Sequence, residues 1–207
     1  GYRTGRIKLG TESSGGFKNI TVTNCIFEHC RGLALETVDG GHLEDIEISH
    51  ITMRHIVNAG IFLRLGARMR SPEGTPAGSM KRIRISHINA YDVDSRYSSI
   101  ISGIPNGIIE DVTFDHIHLY YKGGYTKEDG KRELPEQEKV YPEPWMFGTI
   151  PAKGFYISHA KNISFHHINF YYEKPDGRPL FVTKDVENIH LTDIRENGEN
   201  VSVTINQ

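Results

Sequence analysis

The chain has 207 residues, 21 of them glycine, and a formal charge of −2. This length admits one domain with a substantial core, and the near-neutral balance argues against nucleic acid or a membrane surface as a partner. No apolar run is long enough for a membrane-spanning helix. The opening Gly1-Tyr-Arg-Thr-Gly-Arg6 has neither an apolar signal region nor an initiator Met, so a mature or trimmed product is expected. Two cysteines, Cys25 and Cys30, do not make a disulfide framework.

Taken in order, the chain opens with a short apolar alternation, Gly5 to Gly10 (GRIKLG), then a Gly/Ser-rich block, then Phe17 to Phe27 (FKNITVTNCIF). That last stretch recurs at Leu43–Met53, Met80–Ala90, Ile109–Leu119, Ala160–Phe170 and Val186–Glu196. Each copy carries an apolar residue, a second two positions on and a third three further: Ile20/Val22/Cys25, Ile46/Ile48/Ile51, Ile83/Ile85/Ile88, Val112/Phe114/Ile117, Ile163/Phe165/Ile168 and Ile189/Leu191/Ile194. Period two is a strand pattern, and the slip to three marks a corner or bulge. Cys25 takes an inward position, which predicts a buried small hydrophobe.

Between the copies lie further short strand patterns: Gly32–Val38 (GLALETV), Gly60–Gly66 (GIFLRLG), Ser99–Ile104, Gly154–His159, Leu180–Thr183 and Val201–Ile205. No helical periodicity separates them, which excludes leucine-rich and helical repeats. Stacked turns of two or three strands, each about 4.8 Å above the last, predict an all-β right-handed parallel β-helix, a solenoid of about six coils over residues 1–207. Residues 66–79 and 120–153 read as long corner insertions, and long structureless loops are more often functional than not. His50, His87, His116 and His167 precede the third apolar residue of their copies, with Asn24 and Asp193 taking that place in the first and last. Such a row predicts a ladder bonding the turn backbone; the histidines show no metal-ligand spacing, so no metal is assigned.

Gly10-Thr-Glu-Ser-Ser-Gly-Gly-Phe-Lys-Asn-Ile20, Arg31-Gly-Leu-Ala-Leu-Glu-Thr-Val-Asp-Gly-Gly41, Pro142-Glu-Pro-Trp-Met-Phe-Gly148 and Pro151-Ala-Lys-Gly-Phe-Tyr156 resemble the second half of family 28 glycoside hydrolases, the polygalacturonase family, in its bacterial branch. The resemblance covers nearly the whole chain. It implies a cofactor-free, secreted or periplasmic enzyme that hydrolyses cell-wall pectic polysaccharide (galacturonan or rhamnogalacturonan) with inversion. It also implies that this chain is the C-terminal part of a longer β-helix, with missing N-terminal coils or another chain capping an open end. The family's catalytic aspartates lie upstream of the glycine-rich block, and no Asp precedes Thr11 here. The family's Gly-His-Gly triplet falls at Thr4-Gly5-Arg6, so Gly5 replaces the histidine. Its Arg-Ile-Lys triplet falls at Ala34-Leu35-Glu36, so both cations are missing. These departures lean away from a plain endo-polygalacturonase and towards an exo-acting or rhamnogalacturonan-active relative.

Inverting hydrolysis needs an acid and a base roughly 6.5–9.5 Å apart. The carboxylates nearest the expected cleft are Glu12, Glu36 and Asp39, and Glu36 and Asp39 stand as the catalytic candidates. Alternation sends Ile7/Leu9, Leu33/Leu35 and Ile61/Leu63/Leu65 inward, and Arg6/Lys8, Ala34/Glu36 and Phe62/Arg64 outward. Stacking then predicts one outward column of Lys8, Glu36 and Arg64. That column is either a solvated ion-pair ladder or a device in which Lys8 and Arg64 hold a substrate carboxylate, which suits the planar fork of Arg. Arg31, Arg68 and Arg70 extend the positive cluster, a sensible binding device for a uronate polymer. Tyr141 is placed to stack on a sugar; Trp145 and Phe147 read as folding the insertion down; Tyr97 and Tyr156 are candidates for an outward ring beside the cleft. Two rival classes stay open: a non-catalytic carbohydrate-binding module, and a pectate-lyase-like eliminase, which needs a Ca²⁺-binding Asp cluster that the strands do not carry.

Overall fold

In the computed structural model, residues 5–203 and 205 are described. Eleven strands form one sheet: β1 (Ile7–Leu9), β2 (Phe17–Glu28), β3 (Leu33–Thr37), β4 (His42–Ile56), β5 (Ile61–Leu65), β6 (Ser79–Val93), β7 (Ser99–Ser102), β8 (Ile109–Tyr121), β9 (Phe155–Tyr172), β10 (Phe181–Glu196) and β11 (Glu199–Asn200). Among the described residues, helix is confined to two single 3-10 turns in the long insertion, at Asp129–Lys131 and Pro144–Phe147. All pairings between named strands are parallel except β10 with β11. The chain is therefore all-β, and its parallel strands alternate between two ladders. Short strands pair in the order β1-β3-β5-β7-β9 and long ones in the order β2-β4-β6-β8-β9-β10, so β9 closes the two ladders into one sheet.

The repeat sets the register. Ile20, Ile46, Ile83, Val112, Ile163 and Ile189 are paired neighbours along one row; Val22, Ile48, Ile85, Phe114, Phe165 and Leu191 form the next; Cys25, Ile51, Ile88, Ile117, Ile168 and Ile194 form the third. All three rows belong to the main core, joined from the short ladder by Leu33, Leu35, Ile61, Leu63, Ile101 and Ile157. Each such side chain fully removed from water contributes about 1.5–3 kcal/mol. Phe114 and Phe165 stack at 4.8 Å between ring centroids, with Phe155 edge-on to Phe165.

The slips in the pattern are left-handed residues. Asn19, Asp45, Arg82, Asp111, Asn162 and Asn188 precede the first apolar residue, and Asn24, His50, His87, His116, His167 and Asp193 precede the third; all twelve have φ between 51° and 58°. Asn, Asp and His are the non-glycine residues that tolerate this region best. These positions drop out of the pairing ladder, turning the strand without ending it.

The outward row of the short ladder is not solvated. Ala34, Phe62, Ile100 and Tyr156 stack in register and are covered by Leu134, Met146, Phe147 and Ile150 of the long insertion, a second apolar cluster. Phe147 folds the insertion down as its apolar character suggests, whereas Trp145 is 56% exposed. Tyr97 and Tyr156 pack in or against this cluster and do not present rings beside the cleft. The two insertions meet, the Ala67 amide donating to Glu138 O at 2.8 Å. At the β10 end the chain turns back through β11, and Val201 and Val203 pack on the core. The strand expected at Val201–Ile205 does not form: residues 201–203 and 205 are not in a strand, and Thr204 lies outside the described residues. At the other end Ile7, Leu9, Phe17, Ile20, Val22, Cys25 and Phe27 are only partly buried. Cys25 is accordingly half-buried, because its row ends at β2.

Candidate functional site

The outward residues of β1 meet the tip of the long insertion at an open cleft of about 760 Å³, lined by Gly5, Arg6, Lys8, Gly10, Thr11, Glu12, Ser13, Arg31, Tyr141 and Glu143. Alternation explains its floor: Ile7 and Leu9 pack on the core, so Arg6 and Lys8 face out. Gly10 then turns the chain with φ +109°, and a Cβ there would meet Glu36 O at 2.3 Å. Only glycine lets the following Thr11 hydroxyl approach and donate to Glu36 Oε2 at 2.9 Å.

Two carboxylates from distant segments share the floor's cations. Lys8 Nζ lies 2.7 Å from Glu36 Oε2 and 3.9 Å from Glu143 Oε1. The Arg6 guanidinium engages both Glu143 oxygens and stands 3.9 Å from Glu36 Oε1. Asn58 Nδ2 donates to Glu143 Oε2 at 3.1 Å, and Arg31 stands 3.8 Å from Glu143 Oε1. Glu36 is buried, and its Oε1 has no hydrogen-bond partner among the described residues. Burial raises its carboxyl above the ordinary range against the pull of Lys8, Thr11 and Arg6. Tyr141, 42% exposed, forms the rim: its hydroxyl lies 3.4 Å from both Lys8 Nζ and Thr11 Oγ1.

The other expected site residues take different places. Lys8 is not in a column with Glu36 and Arg64: the register pairs Lys8 with Ala34, while Glu36 pairs with Arg64 and Arg64 with Ser102. Lys8 reaches Glu36 on the diagonal, two residues along. Arg64 is 1% exposed and lies beneath the insertion, outside the cleft. Its Nη1 donates to Ser102 Oγ at 2.7 Å and Gly103 O at 3.1 Å, and its Nη2 to Glu136 O at 2.8 Å and Gln137 O at 3.0 Å. Burial pulls this guanidinium down to about 10, with Glu136 and Glu138 acting the other way. It is a structural strut, not a substrate clamp. Asp39 is held by both nitrogens of the Arg68 fork and by the Arg70 amide at 3.0 Å. Burial alone would raise the Asp39 carboxyl; Arg68 and Arg70 outweigh it and hold it below the ordinary range. A carboxylate so held is a poor proton donor. Glu12 lies 3.5 Å from Arg68 and 3.4 Å from Arg70 at the exposed edge. Of the Thr4–Arg6 triplet, Thr4 lies outside the described residues.

No family model matches the chain, and neither the curated proteins nor the solved structures contain a match. Among the described residues, no helix is long and apolar enough to cross a membrane.

Glu143 was invisible as a site residue. It sits in the Tyr-Pro-Glu-Pro stretch 137 residues from Arg6, and only the folded insertion brings the two together. A lone acid in a proline-stiffened loop, set against a cationic GRIK strand that has no acid of its own, is the signal that could have found it.

Proposed function

We propose that the chain is part of a right-handed parallel β-helix glycoside hydrolase acting on acidic pectic polysaccharide, and that it supplies later coils and the cationic subsites. The observation that carries this reading is the cleft itself: Arg6, Lys8 and Arg31 beside the aromatic rim of Tyr141, over the buried Glu36. A cationic floor with one exposed ring suits a chain of uronate sugars, each with a carboxylate to pair and an apolar ring face to stack. The two parallel ladders and the sixfold repeat support the β-helix, and the sequence resemblance supports the reaction class. Arg31 is the most exposed of the three cations, its side chain 44% accessible, and is the group that meets a substrate carboxylate first.

Glu36 and Glu143 hold this floor in place. Both are paired with the same Lys8 ammonium and Arg6 guanidinium. Their work is to position the cations, and single-displacement hydrolysis uses carboxylates on other coils of the enzyme. That same pairing also favours one second reading, a non-catalytic carbohydrate-binding β-helix. Calorimetric titration with oligogalacturonates separates charge recognition from chance. Arg31→Ala is expected to weaken binding about tenfold or more, the loss of one hydrogen bond between charged partners, and carboxyl-reduced oligosaccharides are expected not to bind. Equal affinity for reduced and native oligosaccharides would defeat the cationic-subsite reading.

A further inference from the structure

The row of left-handed corner residues ends in a cluster remote from the cleft. Asn24, His50, His87, His116, His167 and Asp193 occupy this corner on successive long strands. The four imidazoles stack: His50 on His87 at 4.7 Å and 4°, His87 on His116 at 5.0 Å and 1°, and His116 on His167 at 4.4 Å and 29°. The last pair leaves the parallel arrangement, and it is the pair that shares a carboxylate. Asp115 Oδ1 lies 2.8 Å from His116 Nδ1 and 3.0 Å from His167 Nδ1. Elsewhere in the row no acid takes this place, because Ser49 and Ser86 occupy the register position of Asp115.

We propose that Asp115, His116 and His167 form a binding site for a divalent transition-metal ion that favours imidazole, with Zn²⁺ as the probe. The three donor atoms lie within 4.8 Å of one another, and all three side chains are one-third to one-half exposed. Two imidazole nitrogens and one carboxylate oxygen form a donor set suited to zinc, nickel or copper, with water completing the coordination. Calcium and magnesium ask for more oxygen ligands. The two separations to Asp115 are those of hydrogen-bonded pairs, and the two imidazole donors lie within 4.8 Å of each other; a tetrahedral ion with bonds of about 2 Å needs donors about 3.3 Å apart. Binding therefore needs Asp115 to open by a few tenths of an ångström and the two stacked rings to turn towards a common point, movements open to side chains one-third to one-half exposed. Each Nδ1–H now donates to the Asp115 carboxylate, so binding the ion at Nδ1 requires that proton to move, to Nε2 of the same ring or to water.

The ion would do a specific job. Asp115 and His116 stand on β8 and His167 on β9, the two strands separated in sequence by the longest insertion. A metal joining them fastens the ladder where the chain makes its largest excursion, and it stabilises because the donors converge only in the folded state.

The test is calorimetry and thermal unfolding of the whole chain with Zn²⁺. His116→Asn and His167→Asn suit the purpose because Asn24 occupies the same left-handed corner, and Asn tolerates it. The expected result is one ion per chain. Affinity should fall at least about tenfold in Asp115→Ala, His116→Asn and His167→Asn and stay unchanged in His50→Asn. Zinc at a hundred times its dissociation constant should raise the melting temperature of the native chain by about 5–10 °C, but not that of His167→Asn. Absence of binding, an equal loss in His50→Asn, or retained affinity in the His116→Asn/His167→Asn double variant would each overturn the site.

Discussion

Arg64→Ala is expected to destabilise the fold by about 2–4 kcal/mol, the sum expected from lost charged hydrogen bonds and the space left by a buried side chain. The guanidinium donates to two insertion carbonyls, Glu136 O and Gln137 O, the second of which also accepts from the Val140 amide, and it serves Gly103 O and Ser102 Oγ on the strand side. Truncation takes a charged donor from each of these acceptors and empties the space beneath the Phe147 ring, which lies 5.5 Å from the guanidinium carbon. Arg64→Lys should recover little, since one ammonium does not span carbonyls on both sides of the strut. Arg64→Met fills the volume without supplying donors and should fall between the two. Urea unfolding followed by circular dichroism reads all three; an Arg64→Ala loss under about 1 kcal/mol would return Arg64 to the surface role that alternation suggested.

Arg178→Ala should cost a similar amount, about 3–5 kcal/mol, and free the insertion. Arg178 and Asp176 form an ion pair with both side chains fully inaccessible, 2.7 Å between Nη2 and Oδ2 and 3.0 Å between Nε and Oδ1. The same guanidinium donates to Ile150 O and Ser95 O, each at 2.8 Å, and lies 4.2 Å from the Tyr125 ring centre. It therefore pins both ends of the insertion to the segment before β10. Removing it strands the Asp176 carboxylate, so the single variant should be less stable than Asp176→Asn/Arg178→Met, in which no buried charge is left alone. Limited proteolysis should cut the single variant between residues 122 and 153 faster than the native chain. A double variant less stable than the single one would contradict this account.

These two arginines mark where sequence reading reached its limit. The rows of the core were legible residue by residue, because a period-two pattern with a fixed slip admits one register, and Ile20 does pair with Ile46 and Ile163 with Ile189. Alternation also placed Arg6, Lys8 and Arg64 outward correctly. What it lacked was knowledge of what lies over each outward residue. The insertion covers Arg64 and Tyr97 and leaves Arg6 and Lys8 at an open cleft, a choice made by Leu134, Met146 and Phe147 far along the chain. The proposed column of Lys8, Glu36 and Arg64 failed for a simpler reason: the 26-residue offset that pairs Ile7 with Leu33 pairs Lys8 with Ala34. The recurring histidines were seen, but their cause is the left-handed corner and the stacking of rings. Their convergence on Asp115 joins positions 51 and 52 residues apart, beyond the reach of local spacing.

The central claim, a hydrolase of acidic pectic chains, is tested most directly by the native gene product on galacturonan and rhamnogalacturonan, with products followed by proton NMR. The account predicts new reducing ends that first appear as the inverted anomer, with no unsaturated sugar. Unsaturated products would instead assign an eliminase, and binding without any new reducing end would assign a carbohydrate-binding module.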